Sequence, residues 1–506
     1  MLEQTYIAAD TISKIRLFVR FSTSIGITTA VMLSACTVGP DFVRPTPPAV
    51  DRYTSKQPVV ATIAADGQSQ SFKLGASIQA DWWRLFRSAQ LDAMVQQAIT
   101  NNPTLEASEA TLRQSQNNLR AGEGIFYPQV NAGLEAERAR NAPIQQGSSI
   151  PGTVFNLVTA NASVGYVLDV FGGERRTVEG LRAQTDAQRY TTKAAYLTLS
   201  ANVVNTSIAH AAYAAQTLAT EQLIAMETEQ LHATEAQVRA GTSTYASELS
   251  IRSQIASSQA SLAPLKQRID QTEHLLAILE GIEPSKASLP DIELAELTLP
   301  TDLPVSLPSE LVRQRPDILQ AEAQLHVASA DIGVATAAMY PSFSLNATYG
   351  SAGTSLGNLT KASGRFWSIG PAVTIPLFRG GSLKYARDAA IDAYQASQAA
   401  YRQTVLSAFA QVADSLKALE HDAEALQAQA EAKRTAEEAL KLLQANYHAG
   451  LVAYLDVLTA DVQYHQAIIA YLQAVAQRQQ DTVALFVALG GGWWNEEPAL
   501  HEGKAP

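Results

Sequence analysis

This chain is one structural unit written twice. Pro103, Leu105, Ala110 and Leu112 recur as Pro316, Ile318, Ala323 and Leu325 at an offset of 213 residues, and Tyr127-Pro128 recurs as Tyr340-Pro341 at that same offset. Ala240-Gly241 and Tyr245 recur as Ala449-Gly450 and Tyr454, 209 residues on. Landmarks in one order at nearly constant spacing imply an internal duplication. Each copy reads as a helix, a strand, a loop, a strand and two long helices. The first copy is expected over 73–300, with strands at about 127–137 and 155–171 and long helices at 173–240 and 244–281. The second is expected over 301–489, with a helix at 309–338, strands at about 340–352 and 366–378, and long helices at 381–449 and 453–489. A tail, 490–506, follows.

The strands alternate with period two, which places alternate residues on opposite faces. Ala162, Val164, Tyr166, Leu168 and Val170 alternate with Asn161, Ser163, Gly165 and Asp169. Phe343, Leu345, Ala347 and Tyr349 alternate with Ser344, Asn346, Thr348 and Gly350. Val130, Ala132, Leu134 and Ala136 oppose Gln129, Asn131, Gly133 and Glu135, and Trp367, Ile369, Val373, Ile375 and Leu377 form a fourth apolar row. A soluble half-buried sheet explains any single strand equally well. The set, with long strands, a small polar second face and aromatic ends, fits a membrane β-barrel. No run of 18 apolar residues occurs, so the chain has no candidate for a spanning α-helix and could cross a bilayer only as a closed barrel. Four strands cannot close one, because about eight is the practical minimum. Two chains would supply eight strands and a filled interior, three would supply twelve and a pore, and the residues leave that choice open.

The helices carry a second rhythm. Tyr190, Ala194, Leu197, Ala201, Val204, Ile208, Ala211, Ala215 and Leu218 fall at alternating steps of four and three. That 3.5-residue period is the requirement of a left-handed coiled coil. Ile255, Leu262, Leu265, Ile269, Leu276 and Leu279 keep it on the next helix, where Pro264 predicts a bend. One continuous helix from Gly173 to Ala240 would be roughly 100 Å long at 1.5 Å per residue. A soluble stalk would share this periodicity. Strands that run straight into the helices at Phe171-Gly172-Gly173 and Phe378-Arg379-Gly380-Gly381 argue against it.

At the N-terminus, Lys14, Arg16 and Arg20 precede an apolar stretch from Phe21 to Leu33, the pattern of a secretory signal over 1–35. It ends in Leu33-Ser34-Ala35-Cys36, and Cys36 is the only cysteine. The spacing is that of a bacterial lipobox, which predicts N-acyl and diacylglycerol lipid on Cys36. A Pro-rich stretch follows, so 36–72 reads as an extended, lipidated tether.

Leu307-Pro308-Ser309-Glu310-Leu311-Val312-Arg313-Gln314-Arg315-Pro316-Asp317-Ile318 resembles the signature of TolC-like outer membrane factors. The resemblance is to the lipoprotein branch that serves resistance-nodulation-division pumps. Leu168-Asp169-Val170-Phe171-Gly172, the Ala449-Gly450 turn and Ala488-Leu489-Gly490-Gly491-Gly492-Trp493 resemble the same branch, and the likeness runs from about Cys36 to Trp493. It implies a homotrimer with a twelve-stranded outer-membrane barrel, an α-helical periplasmic tunnel, and a mixed belt built from 73–100, 282–310 and the tail. The loops 137–154 and 353–365 would face outside. The implied partners are a periplasmic membrane-fusion adaptor, an inner-membrane pump and outer-membrane lipid. Gly241 and Gly450 would cap the helix tips that contact the adaptor. In the TolC pattern an acid six positions after the second glycine faces the tunnel axis, and Asp456 stands there. Thr459 stands where TolC has a second aspartate and Val452 where it has a basic residue, so TolC's gating ion pairs are not carried over. Glu248 lies beside the position equivalent to Asp456 in the first copy and is the second candidate for the aperture.

Other classes find little support. The eight histidines are scattered singly, with no HExxH spacing, nucleophile elbow or phosphate loop, so no catalytic machinery or nucleotide use is visible. A net charge of −11 argues against binding nucleic acid through its phosphates. No cofactor is implied beyond the lipid at Cys36. Within transport, a duct for secreted polypeptides is the alternative to one for small molecules such as drugs.

Overall fold

The computed structural model describes residues 37–55, 59–142, 147 and 151–495. Cys36 and the signal segment lie outside the described residues. The elements, in chain order, begin with β1 (Ser71–Leu74), α1 (Ala89–Asn101) and α2 (Pro103–Glu123). There follow β2 (Gln129–Arg140), β3 (Val154–Leu168), α3 (Gly173–Arg239) and α4 (Tyr245–Leu279). The second copy runs β4 (Asp302–Val305), α5 (Pro308–Gln314), α6 (Pro316–Ala337), β5 (Ser342–Gly353), β6 (Arg365–Thr374), α7 (Ser382–His448) and α8 (Tyr454–Ala488). Two compact units divide the chain. One holds 37–44, 113–186 and 323–399, and the other holds 45–112, 187–322 and 400–495.

The first unit contains a four-stranded antiparallel sheet in the order β2-β3-β5-β6. Its register gathers the alternating rows onto common faces. Val130 pairs with Val164, Val164 with Ala347 and Ala347 with Ile369, and next to them run Ala132, Ala162, Tyr349 and Trp367. The other face carries Asn131, Ser163, Thr348 and Ser368 in line, with Gln129, Gly165, Asn346 and Gly370 beside them. β2 and β6 are the two edges. Pro371 sits in β6, an edge strand of the sheet within one copy, the place where proline is tolerated.

Two expected strands are shorter than anticipated. β6 ends at Thr374 and not at 378, and β3 ends at Leu168 and not at 171. Their partner β5 begins at Ser342, immediately after Pro341, which has no N–H to extend the ladder. Leu377 and Phe378 therefore lie off the sheet and almost fully exposed. β2, conversely, runs on to Arg140 against Val154.

The helix expected over 309–338 is two helices. Arg315 precedes Pro316 and adopts extended backbone, φ −72° and ψ 127°, because the proline ring disfavours the helical region for its predecessor. Asn102 before Pro103 does the same between α1 and α2. A boundary drawn at 73 cuts β1, and residues 59–72 are no free tether. Thr62 and Phe72 hydrogen-bond to Gln70 and Val60, and β1 pairs in parallel with β4. These four-residue strands are too short to leave a periodic signal. Pro264 lies inside α4. The core of the second unit centres on Trp82, Trp83, Phe86, Leu91, Val203, Val204, Ile208, Phe486 and Leu489, all buried. Trp83 Nε1 donates to Asp92 Oδ1 at 2.9 Å, so the indole is buried with its polar atom satisfied.

Candidate functional site

Two places in this fold stand out as candidate functional sites: the two-faced sheet and the turns that join the long helices. The turns are built from identical backbone. In the first, Gly241 N–H donates to Val238 O at 3.0 Å and Thr242 N–H to Gln237 O at 2.9 Å. In the second, Gly450 N–H donates to Tyr447 O and Leu451 N–H to Asn446 O, both at 2.9 Å. This is the Schellman arrangement, and both glycines take φ +75°, the left-handed conformation that favours glycine.

Beyond the glycines the two turns differ. α4 starts with Thr244, whose hydroxyl accepts from Ser247 N–H at 3.2 Å. α8 starts with Ala453, which has no capping oxygen, and Asp456 reaches back to accept from Ala453 N–H at 3.1 Å. Asp456 is exposed, with one of its oxygens committed to the helix start. Thr459, one turn on, is also exposed, and its hydroxyl donates to Leu455 O at 2.8 Å. Tyr447 OH donates to Gln237 Oε1 at 3.3 Å, and its ring meets Tyr454 edge to face at 5.6 Å.

Glu248, the second aperture candidate, does not share that exposure. It is 8% exposed and pairs with Arg252 at 2.7 Å, while Arg252 also holds Glu235 at 3.1 Å. The 209-residue offset explains this. Ser247 is the equivalent of Asp456, and Glu248 is the equivalent of the buried Val457.

One buried group escaped sequence reasoning. Asp461 on α8 is 9% exposed, and burial, then the nearby Glu227 on α3, pushes its carboxyl up to about 7. Glu227 is itself buried, accepts from Ser258 Oγ at 3.1 Å, and is raised by the same loss of water. Among the described residues no cation pairs with either acid. Asp461 falls on the apolar side of its helix, and an acid at a seam position was the available signal.

The tether after Cys36 is seated in the first unit. Val38 N–H donates to Phe171 O at 3.0 Å, and Asp41 accepts from the buried Arg176 at 2.6 Å. Phe42 stacks on His326 with ring centres 4.2 Å apart. Gly39 has φ +91°, and a Cβ there would lie 2.5 Å from Gly333 Cα, so this crossing admits no side chain. Asp169 secures the adjoining helix start, accepting from the N–H groups of Glu174 and Arg175 at 3.1 and 3.0 Å.

No helix among the described residues is long and apolar enough to cross a membrane. A sheet with one apolar and one small, polar face, joined in sequence to coiled-coil helices of 67 and 35 residues, has the makings of a pore wall. The class so defined is an outer-membrane channel whose spanning part is β-structure. The chain belongs to the Outer membrane efflux protein family, whose profile matches residues 94–281 and 307–491, one stretch in each copy of the repeat. It is a channel protein of the Gram-negative outer membrane and not an enzyme. The pyoverdine export outer membrane protein OpmQ of Pseudomonas putida is 30% identical over 424 residues, 82% of this chain and 89% of that one. The cation efflux system protein CusC of Escherichia coli is 29% identical over 472 residues, 92% of this chain and 97% of that one. The open-state crystal structure of the Neisseria gonorrhoeae MtrE outer membrane channel superposes with a TM-score of 0.78 at 26% identity, covering 90% of this chain and 99% of that one.

Proposed function

We propose that this chain is the outer-membrane exit duct of a tripartite pump that passes small molecules from the periplasm to the exterior. Three copies close a twelve-stranded barrel, whose apolar face meets lipid and whose polar face lines the lumen. The observation that carries this reading is the sheet itself, with two unpaired edges, β2 and β6, and one face of small polar side chains. Unpaired edges in hydrocarbon would leave each backbone group unsatisfied at a cost of several kcal/mol, so copies must pair edge to edge. Pyoverdine export and cation efflux, named for two relatives, favour small solutes over polypeptides as cargo. Gating falls to the helix turns, with Asp456 and Thr459 at the aperture. Gly241 and Gly450 mark the tips that a periplasmic adaptor contacts, and an inner-membrane pump supplies the energy. Cys36 carries the lipid anchor, which acyl labelling of the protein and of Cys36→Ala tests directly.

The test of the barrel is a pair of substitutions on adjacent residues of β5. Leu345→Lys puts a charge on the lipid face and should cost about 2–4 kcal/mol, seen as loss of heat-modifiable trimer from outer-membrane fractions. Asn346→Lys, facing the lumen, should leave the trimer intact. Equal damage from both would mean that the faces are assigned wrongly.

A further inference from the structure

The sheet holds five charged side chains, and they are sorted by face. Glu135 and Glu137 pair with Thr159 and Leu157 on the polar face. Arg138 and Arg140 continue the apolar row of Val130, Ala132, Leu134 and Ala136, and Arg365 continues the row of Trp367, Ile369 and Val373. All three arginines thus stand on the lipid-facing side, at the strand ends next to the β2–β3 and β5–β6 loops, opposite the ends that lead into the helices. Trp367 and its partner Tyr349 lie one step below Arg365 on that face. Amphipathic aromatics of this kind mark the level where hydrocarbon gives way to headgroups. Arg365 therefore stands at headgroup height, and Arg138 and Arg140 lie at the same end of the sheet, four and six residues beyond its row on β2.

Their lateral placement is as uneven as their facing. Arg138 and Arg140 are on one edge strand and Arg365 is on the other, and the two middle strands carry no charge at all. Within one copy the two edges are separated by β3 and β5. Closure of the barrel brings β6 of one copy beside β2 of the next, so each of the three seams gathers all three arginines. Among the described residues none of them has an ion-pair partner, and the only acids on these strands face the lumen. A guanidinium at this height, with no carboxylate beside it, is matched by phosphate, which it can grip bidentately.

We propose that each seam between copies forms a binding site for the phosphate groups of the glycolipid in the outer leaflet, with Arg138 and Arg140 from one copy and Arg365 from its neighbour. The site rests on the trimeric closure described above, and neither edge completes it alone. It would seal the junctions at which the barrel is assembled.

The experiment uses the full-length trimer in nanodiscs holding either a phosphorylated glycolipid or the same glycolipid with its phosphates removed, with bound lipid counted by native mass spectrometry. The unmodified trimer should retain the phosphorylated form preferentially. Each arginine removed should weaken that retention about fivefold, so Arg365→Gln loses about fivefold and the Arg138→Gln/Arg140→Gln pair about 25-fold. Glu135→Gln/Glu137→Gln, on the opposite face, should change nothing. A preference that survives the triple arginine substitution overturns the proposal, as does an equal loss in the glutamate control. Displacement of the lipid by inorganic phosphate alone would reduce the site to a simple anion site and overturn its assignment to lipid. Heat-modifiable migration is followed in every sample. If all variants remain trimeric while lipid preference is unaffected, closure stands and only the lipid site falls, whereas an unmodified protein that never trimerises sinks both.

Discussion

The two copies of the repeat share a backbone and differ in what they do with charge. Before each proline that opens the second helix of a copy, one side chain ties that helix to the end of a long one. Asn102 Nδ2 donates to Leu279 O at 2.9 Å, and its Oδ1 caps α2 by accepting from Thr104 and Leu105. Arg315 Nη1 donates to Ala488 O at 2.7 Å, and the same guanidinium holds Asp317 and Gln411. At the turns the contrast is sharper. Position 252 of the first copy is an arginine that neutralises two glutamates, and the equivalent position of the second copy is the buried, cation-free Asp461. The first turn is thus held by ion pairs, and the second keeps an exposed acid at its cap and a strained one in its packing. Duplication preserved the geometry and let the charges at the two turns diverge.

The largest effect expected from this comparison is at the junctions. Arg315→Ala should cost about 3 kcal/mol, since it removes a charged donor from a buried carbonyl and from Gln411 together. Asn102→Ala should cost about 2 kcal/mol, a cap and one bond to a carbonyl. Thermal melting followed by circular dichroism would rank them. An asparagine variant that melts below the arginine variant would break the equivalence of the two ties.

The next effect is pH-dependent. Asp461 has an ordinary value near 3.8 and a folded value of about 7, so between those limits the unfolded chain releases a proton that the folded chain keeps. Stability contributed at this position therefore falls as pH rises from about 4 to about 7 and is flat above. Asp461→Asn should melt like the parent at pH 4 and be more stable at pH 8, by up to about 4 kcal/mol, the amount to which the shift corresponds. A difference that is constant across that range would show that Asp461 is not buried as a neutral acid.

The smallest effect separates the caps. Asp456→Ala should cost about 1 kcal/mol by removing the only side-chain acceptor at the start of α8. Ser247→Ala should cost close to nothing, because Thr244 provides the cap in the first copy. Asp456→Asn, which retains an acceptor, should keep stability while weakening cation preference in planar bilayers, the behaviour of an acidic ring near a symmetry axis. An unchanged reversal potential would remove Asp456 from the constriction.

Much of this architecture was legible in the residues because it is periodic and local. Alternation in 130–136, 162–168, 343–349 and 367–373 named both faces of the sheet, and the glycines at 241 and 450 named the turns. The break at Arg315 was also written locally, in the proline after it, within the stretch expected as one helix. Glu248 was misleading for a different reason. It stands one residue from the equivalent of Asp456, and one residue on a helix is 100° of rotation, enough to turn an exposed acid into a buried one.

What the sequence determined by itself was therefore the duplication, the two-faced strands, the coiled-coil period and a single cysteine at the end of an apolar leader. Each is set by neighbours a few residues apart, where sterics and hydrogen-bond geometry act without help from the rest of the chain. Only the tertiary structure decided which side chains meet across distance. It brought Arg315 to Ala488, paired β1 with β4, seated Gly39 on Gly333, and set Asp461 beside Glu227. Such contacts depend on tertiary packing, and no periodicity within one segment records the identity of a partner 173 or more residues away.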